Sequence, residues 1–93
     1  MGEIERPAGA AECLRFPCEF PLKVIGRNGA AFEQAVRDIV GLRLGGEPVA
    51  YASRPSGGGK YLSITATFTA ASREQLDGIY RELHGHELVV MTL

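Results

Sequence analysis

The segment from Lys60 to Ala70 constrains the fold more than any other part of the chain. Four apolar positions alternate there with five hydroxyl-bearing ones: Leu62, Ile64, Ala66 and Phe68 against Tyr61, Ser63, Thr65, Thr67 and Thr69. Because successive side chains of a strand point to opposite faces, this pattern predicts a long strand. Alternation this regular indicates that one face of its sheet is buried and that the other faces water.

Three more strands are predicted around it. The first runs from Phe20 to Ile25, with regular pairing only after Pro21, which has no N–H to donate. The second is short, Val49–Ser53, and a flexible hairpin loop, Arg54–Gly59, follows it. The last, Glu87–Leu93, is apolar on both faces.

Two segments have helical periodicity instead. In the first, Ala30–Leu42, apolar residues form one stripe, Asn28 or Gly29 serves as the N-cap, and glycines from Gly41 onwards end the helix. The second follows a capping box in which Ser72 caps and Gln75 reaches back. Its apolar stripe is Leu76, Ile79, Tyr80 and Leu83, and Gly85 is expected as a left-handed stop.

The element order is therefore βαββαβ, which predicts an α+β, two-layer ferredoxin-like sandwich with both helices on one face. Right-handed crossovers favour an antiparallel sheet of order 4-1-3-2. Residues 1–15 are expected to form a flexible tail and residues 16–93 a single domain. The centre of the core is predicted at Phe20, Val24, Val36, Ile39, Ile64, Phe68, Ile79, Tyr80 and Leu83.

Composition excludes several classes of function. The net charge is −1, so no overall field attracts nucleic acid or an anionic membrane. No apolar run is long enough to span a bilayer, and the acidic start does not resemble a signal peptide, so we expect a cytoplasmic protein. Cys13 and Cys18 are predicted to be reduced thiols. We expect no metal and no cofactor.

Motifs that carry chemistry are weak. Gly57-Gly58-Gly59-Lys60 lacks the following Ser or Thr and the helix of a phosphate-binding loop. His84 and His86 make an incomplete metal site. An acylphosphatase-like enzyme is an alternative, because Arg27 and Asn28 lie in the first strand-to-helix turn, but that family's glycine-rich loop is absent. An RNA-binding module is another, although the polar face offers only Tyr61 for stacking and the pI is 6.1. No catalytic residues are predicted.

The chain resembles the YbeD-like family of small uncharacterised bacterial proteins over about residues 14–93. No single motif carries the resemblance; the order and spacing of many residues do. They are Phe16-Pro17, Phe20, Lys23-Val24, Gly26, Val36, Ile39, Val40, Pro55-Ser56, Gly59-Lys60-Tyr61, Ser63, Ser72, Glu74-Gln75, Tyr80, Leu83, Val90-Met91 and Leu93.

The resemblance implies a ferredoxin-like fold similar to ACT regulatory domains, which bind small ligands, often amino acids, and usually pair with another copy. It also implies an association with lipoate metabolism. We therefore expect a non-catalytic regulatory or binding module for a small ligand or a partner protein.

Two surfaces are candidates for binding. The turn Gly26-Arg27-Asn28-Gly29 precedes helix amides without helical partners and offers a guanidinium, so it is a candidate site for a small carboxylate. The sheet face away from the helices is a candidate surface for an unknown partner protein or for self-association. Its predicted contact residues are Lys23, Ile25, Tyr61, Thr65 and Met91.

Overall fold

The computed structural model describes residues 15–93 and has the predicted ferredoxin-like fold. Its four strands form one antiparallel sheet of order β2-β3-β1-β4, which is the predicted order read from the other edge. Apart from Arg15, the predicted tail lies outside the described residues. The elements are β1 (Cys18–Arg27), α1 (Ala30–Leu44), β2 (Ala50–Ser56), β3 (Tyr61–Ala70), α2 (Arg73–His84) and β4 (Val89–Thr92).

One core lies between the helices and the sheet. Alternate residues of β1 and β3 are buried together with the apolar stripes of α1 and α2, so both helices cover the same face of the sheet. The predicted core residues are buried with one exception. Tyr80 is only partly buried, and its hydroxyl donates to the carbonyl oxygen of Leu93 at 3.3 Å.

Both helices begin as predicted but end differently. Helix α1 continues through Gly41 because Leu44, one turn later, is buried in the core, and Gly45 then adopts the left-handed conformation (φ 61°, ψ 38°) that ends the helix. Ser72 caps α2 by accepting from the Gln75 amide at 3.1 Å. The prediction of a left-handed Gly85 is wrong: its φ is −83°, and its N–H donates to the Arg81 carbonyl.

The Gln75 side chain completes the capping box of α2 one residue further back than expected. Its Oε1 atom accepts from the amide of Ala71 at 2.7 Å, rather than from that of Ser72. The backbone amide of Ala71, which joins β3 to the N-cap Ser72, therefore also has a hydrogen-bond partner.

Strand β1 is longer than predicted at both ends. Its register with β3 runs from Cys18 opposite Ala70 to Arg27 opposite Tyr61, so pairing begins before Pro21 rather than after it. Pro21 is tolerated because β4 pairs only with Val24–Gly26 and does not reach it.

Strand β4 is shorter than predicted and contains a β-bulge. Ile25 pairs with Met91 and Gly26 with Val89, which leaves Val90 without a register partner. The extra residue is 55% exposed. The apolar residues of β4 therefore lie on both faces: Val89 packs against the core, and Met91 opposes Ile25 on the other face.

The prediction of reduced thiols is wrong for Cys18, which is disulfide-bonded in this structure. Cys13 lies outside the described residues.

Candidate functional site

The face of the sheet away from the helices brings the predicted partner-surface residues together. Lys23 lies opposite Thr65, Ile25 lies between Ser63 and Met91, and Arg27 lies opposite Tyr61. We call this surface the open face. It is formed by Glu19, Pro21, Lys23, Ile25 and Arg27 of β1, Ala50, Ala52, Arg54 and Ser56 of β2, Tyr61, Ser63, Thr65, Thr67 and Thr69 of β3, and Met91 of β4.

Apolar side chains occupy one side of the open face. Ile25 and Met91 are register partners, and Met91 is 47% exposed. Tyr61 lies on β3 diagonally to Ile25, within reach of a long side chain on a pleated sheet. The three residues are therefore neighbours on one face of the sheet, as the alternation of side chains predicts.

The open face is cationic although the chain as a whole is slightly acidic. Lys23, Arg27 and Arg54 lie on it. Among the described strand residues of this face, Glu19 is the one acidic side chain, and it lies at the far end of β1 from Arg27. Lys23 and Arg54 form no ion pair within residues 15–93. Both charges are thus available to a molecule that binds there.

The centre of the open face is a shallow hollow of about 270 Å³. Sequence reasoning placed one of its cations, Arg54, in the hairpin loop. It belongs to β2 because that strand continues along β3 to Ser56, pairing Arg54 with Ser63. The spacing of Ala50, Ala52 and Arg54 was the signal that could have placed it on this face. The hollow is lined by Lys23, Ala52, Ser53, Arg54, Ser63 and Thr65.

The four residues of the turn predicted to bind a carboxylate, residues 26–29, belong to different elements of the structure. Gly26 is buried inside β1, on the face that packs against α1. A Cβ atom there would lie within 2.5 Å of both the Phe32 ring and the Leu88 carbonyl oxygen. Gly29 is the N-cap of α1 and offers no side chain. Of the four turn residues, Arg27 is the one whose side chain lies on the open face, as the last residue of β1.

Asn28 has a structural role that the sequence did not reveal. Its backbone N–H donates to the Lys60 carbonyl at 3.0 Å, and its side-chain amide donates to the Gly59 carbonyl at 2.9 Å. These two bonds join the end of β1 to the turn between β2 and β3. This side-chain bond uses one of the two N–H groups of the Asn28 amide.

The glycine run and the two histidines, which the sequence offered as weak phosphate and metal motifs, take part in local turns and hydrogen bonds. Gly57, Gly58 and Gly59 take positive φ values of 60°, 70° and 90°, and a strand rather than a helix follows them. His84 Nε2 lies 2.7 Å from the Thr92 hydroxyl, and His86 Nδ1 accepts from the Leu88 amide. In the described part of the chain, no three potential metal ligands cluster together, and no helix is long and apolar enough to cross a membrane.

Two tyrosines on the helix side of the sheet have shifted pKa values. Burial raises the pKa of Tyr51, and the Arg37 guanidinium, 4.4 Å from the centre of its ring, opposes part of that rise. Burial also raises the pKa of Tyr80. Neither group lies on the open face, so neither changes the charge there in the neutral range.

Comparison with known proteins places this fold in a family. The family described as "Protein of unknown function (DUF493)" matches residues 11–93. The UPF0250 protein of Bordetella pertussis is 44% identical over 82 residues, covering 86% of this chain and 89% of that protein. The UPF0250 protein of Neisseria gonorrhoeae is 44% identical over 84 residues, covering 89% and 92%.

A solved structure supports the architecture independently. The solution structure of protein HP0495 from H. pylori superimposes with a TM-score of 0.73, covering 100% of this chain and 93% of that one, at 15% sequence identity. This likeness concerns the fold alone. The family model and the sequence relatives show that the chain belongs to the DUF493 family of UPF0250 proteins, the YbeD-like bacterial family that its sequence resembles.

Proposed function

We propose that the chain is a non-catalytic binding module that docks an acidic surface of a partner protein on its open face. The observation that carries this proposal is the charge of that face: Lys23 and Arg27 flank Ile25 along β1, and Arg54 lies two strands away in the same row as Ile25 and Met91. A surface that combines exposed apolar groups with one sign of charge is typical of protein interfaces.

The chemistry of the face defines the partner. Carboxylates of the partner would pair with the three cations, and an apolar side chain would cover Ile25 and Met91. Arginine is suited to this role because its planar guanidinium binds a carboxylate through two parallel hydrogen bonds. RNA fits less well, since the described strands put a single aromatic side chain, Tyr61, on this face.

The finer part of the proposal rests on the family resemblance. ACT regulatory domains suggest that binding controls a partner enzyme, and the YbeD-like family suggests that this enzyme acts in lipoate metabolism in the cytoplasm. A second copy of this chain is the competing occupant of the same face. The experiment must distinguish it from an acidic partner protein.

Site-specific photo-crosslinking in living cells tests the docking surface. A photoreactive residue at Thr65 reports on the open face, and one at Asp77, exposed on α2, is the matched control. We expect a heteromeric product from position 65 only. Lys23→Glu combined with Arg54→Glu should abolish it, whereas Arg73→Glu on the helix side should not.

Three outcomes would contradict the proposal. Equal products from positions 65 and 77 would show that contact is not selective for the open face. A product that survives the double charge reversal would remove the role of the cations. A product with the mass of two copies of the chain would replace the acidic partner by a second copy.

A further inference from the structure

The hollow at the centre of the open face has a floor of small side chains between two long cationic ones. Across three neighbouring strands, Ala52, Thr65 and Lys23 lie in one row, and Arg54, Ser63 and Ile25 lie in the next. With strands about 4.8 Å apart, Lys23 and Arg54 are separated diagonally by about 12 Å between Cα atoms, on opposite sides of β3. Their side chains can therefore approach the same space from opposite edges.

The groups around the hollow are almost entirely donors. Lys23 offers an ammonium, Arg54 a guanidinium, and Ser63 and Thr65 two hydroxyls, while no carboxylate lines it. Within residues 15–93, none of these four side chains forms a hydrogen bond or an ion pair. Two unpaired cations, with hydroxyl donors between them and no carboxylate beside them, make the hollow more favourable to an anion than to a cation.

Two cations on opposite sides favour a ligand with two anionic ends. A dicarboxylate pairs each cation with its own carboxylate, which gains more Coulomb energy than a single carboxylate shared between them. The hollow, with a volume of about 270 Å³, has room for a small dicarboxylate. An amino acid is disfavoured because its ammonium group would meet Lys23 and Arg54 with no acidic side chain nearby.

We propose that this hollow binds a small dicarboxylate that carries no ammonium group, with Arg54 and Lys23 each holding one carboxylate and the hydroxyls of Ser63 and Thr65 donating to them. The site belongs to the isolated chain and does not depend on a docked partner protein. It lies away from the strand-to-helix turn, where the sequence predicted carboxylate binding.

Glutarate and L-glutamate are the matched probes, because they share a five-carbon dicarboxylate skeleton and differ by one ammonium group. Each is titrated into ¹⁵N-labelled protein, with inorganic phosphate as a third ligand at the same ionic strength. We expect glutarate to shift the amide signals of Ser63, Thr65 and Arg54 in a saturable way. L-Glutamate and phosphate should bind at least tenfold more weakly.

Variants assign the binding to individual side chains. Lys23→Gln and Arg54→Gln should each weaken glutarate at least tenfold, while Arg73→Gln, a surface arginine at the start of α2, should change the affinity less than twofold. Unaltered amide signals in the core verify that the variants are folded.

Absence of shifts at Ser63 and Thr65 with about 20 mM glutarate, which would nearly saturate a site with a Kd of about 1 mM, would overturn the proposal. Equal affinities for glutarate and L-glutamate, or a preference for phosphate, would overturn the proposed ligand class. These titrations use no partner protein, so their failure leaves the docking proposal standing, and failure of the crosslinking experiment leaves the ligand site standing.

Discussion

Replacing Gly26 by alanine should destabilise the domain by about 3 kcal/mol. The new Cβ would lie within 2.5 Å of the Phe32 ring, which is 1% exposed, and of the Leu88 carbonyl oxygen, which also accepts from Arg27. Overpacking a core usually costs 1–3 kcal/mol. The upper end of this range applies because neither group can move away. The Leu88 oxygen is part of the backbone, and the Phe32 ring is packed in the core.

Urea unfolding followed by circular dichroism measures this cost as a shift of the midpoint at constant slope. Gly41→Ala is the control: it lies inside α1 with nothing within 4 Å of the added Cβ, so the better helix propensity of alanine should stabilise by about 1 kcal/mol. Adding Phe32→Leu to Gly26→Ala should recover part of the loss, after allowing for the cost of Phe32→Leu alone. A loss below about 1 kcal/mol would show that the close approach of β1 to α1 is not what requires glycine.

Three further predictions concern stability. Phe68→Ala should cost roughly 3–5 kcal/mol, because the ring is 3% exposed; less than about 1 kcal/mol in the same titration would mean that it bears little of the core. Asn28→Ala should cost about 1 kcal/mol and speed amide exchange in the turn at Gly59, and unchanged exchange would refute the link. Because burial raises the pKa of Tyr51 and Tyr80, both bind their protons more tightly in the folded state, so stability should fall as pH rises above the ordinary value of 10.0. Tyr80→Phe should make that fall less steep, and an unchanged slope would exclude the residue as a source of it.

The topology could be predicted from the sequence because each element carries its own periodicity. The alternation in β3 and the two helical stripes fix which residues face inward, and handedness then leaves few arrangements of the strands. The ends of the elements could not be predicted in the same way. Gly26 looks like a turn residue in the sequence, yet it belongs to β1, because it pairs with Leu62 and Val89. These partners are distant in the sequence, so the pairing leaves no local signal.

In the candidate site, too, local periodicity predicted some residues, while others depend on contacts that are distant in the sequence. The alternation of side chains along β1 and β3 predicts that Lys23, Ile25, Tyr61 and Thr65 share one face, and the structure brings them together there. Arg54 was missed because the end of β2 is set by its pairing with β3, not by its own propensity. Of the two predicted N-cap candidates for α1, Gly29 takes that position, and the Asn28 side chain instead donates to the Gly59 carbonyl, 31 residues away.

The two edges of the sheet also determine how the domain behaves when crowded. An exposed strand can recruit another chain and begin a fibril, and β4 carries the exposed apolar residues Val90 and Met91 that would favour this. The bulge at Val90 interrupts the regular ladder of donors and acceptors that an incoming strand would need. At the opposite edge, Pro55 removes a donor and Arg54 adds a charge. Both edges therefore resist the addition of another strand, even though β4 exposes Val90 and Met91.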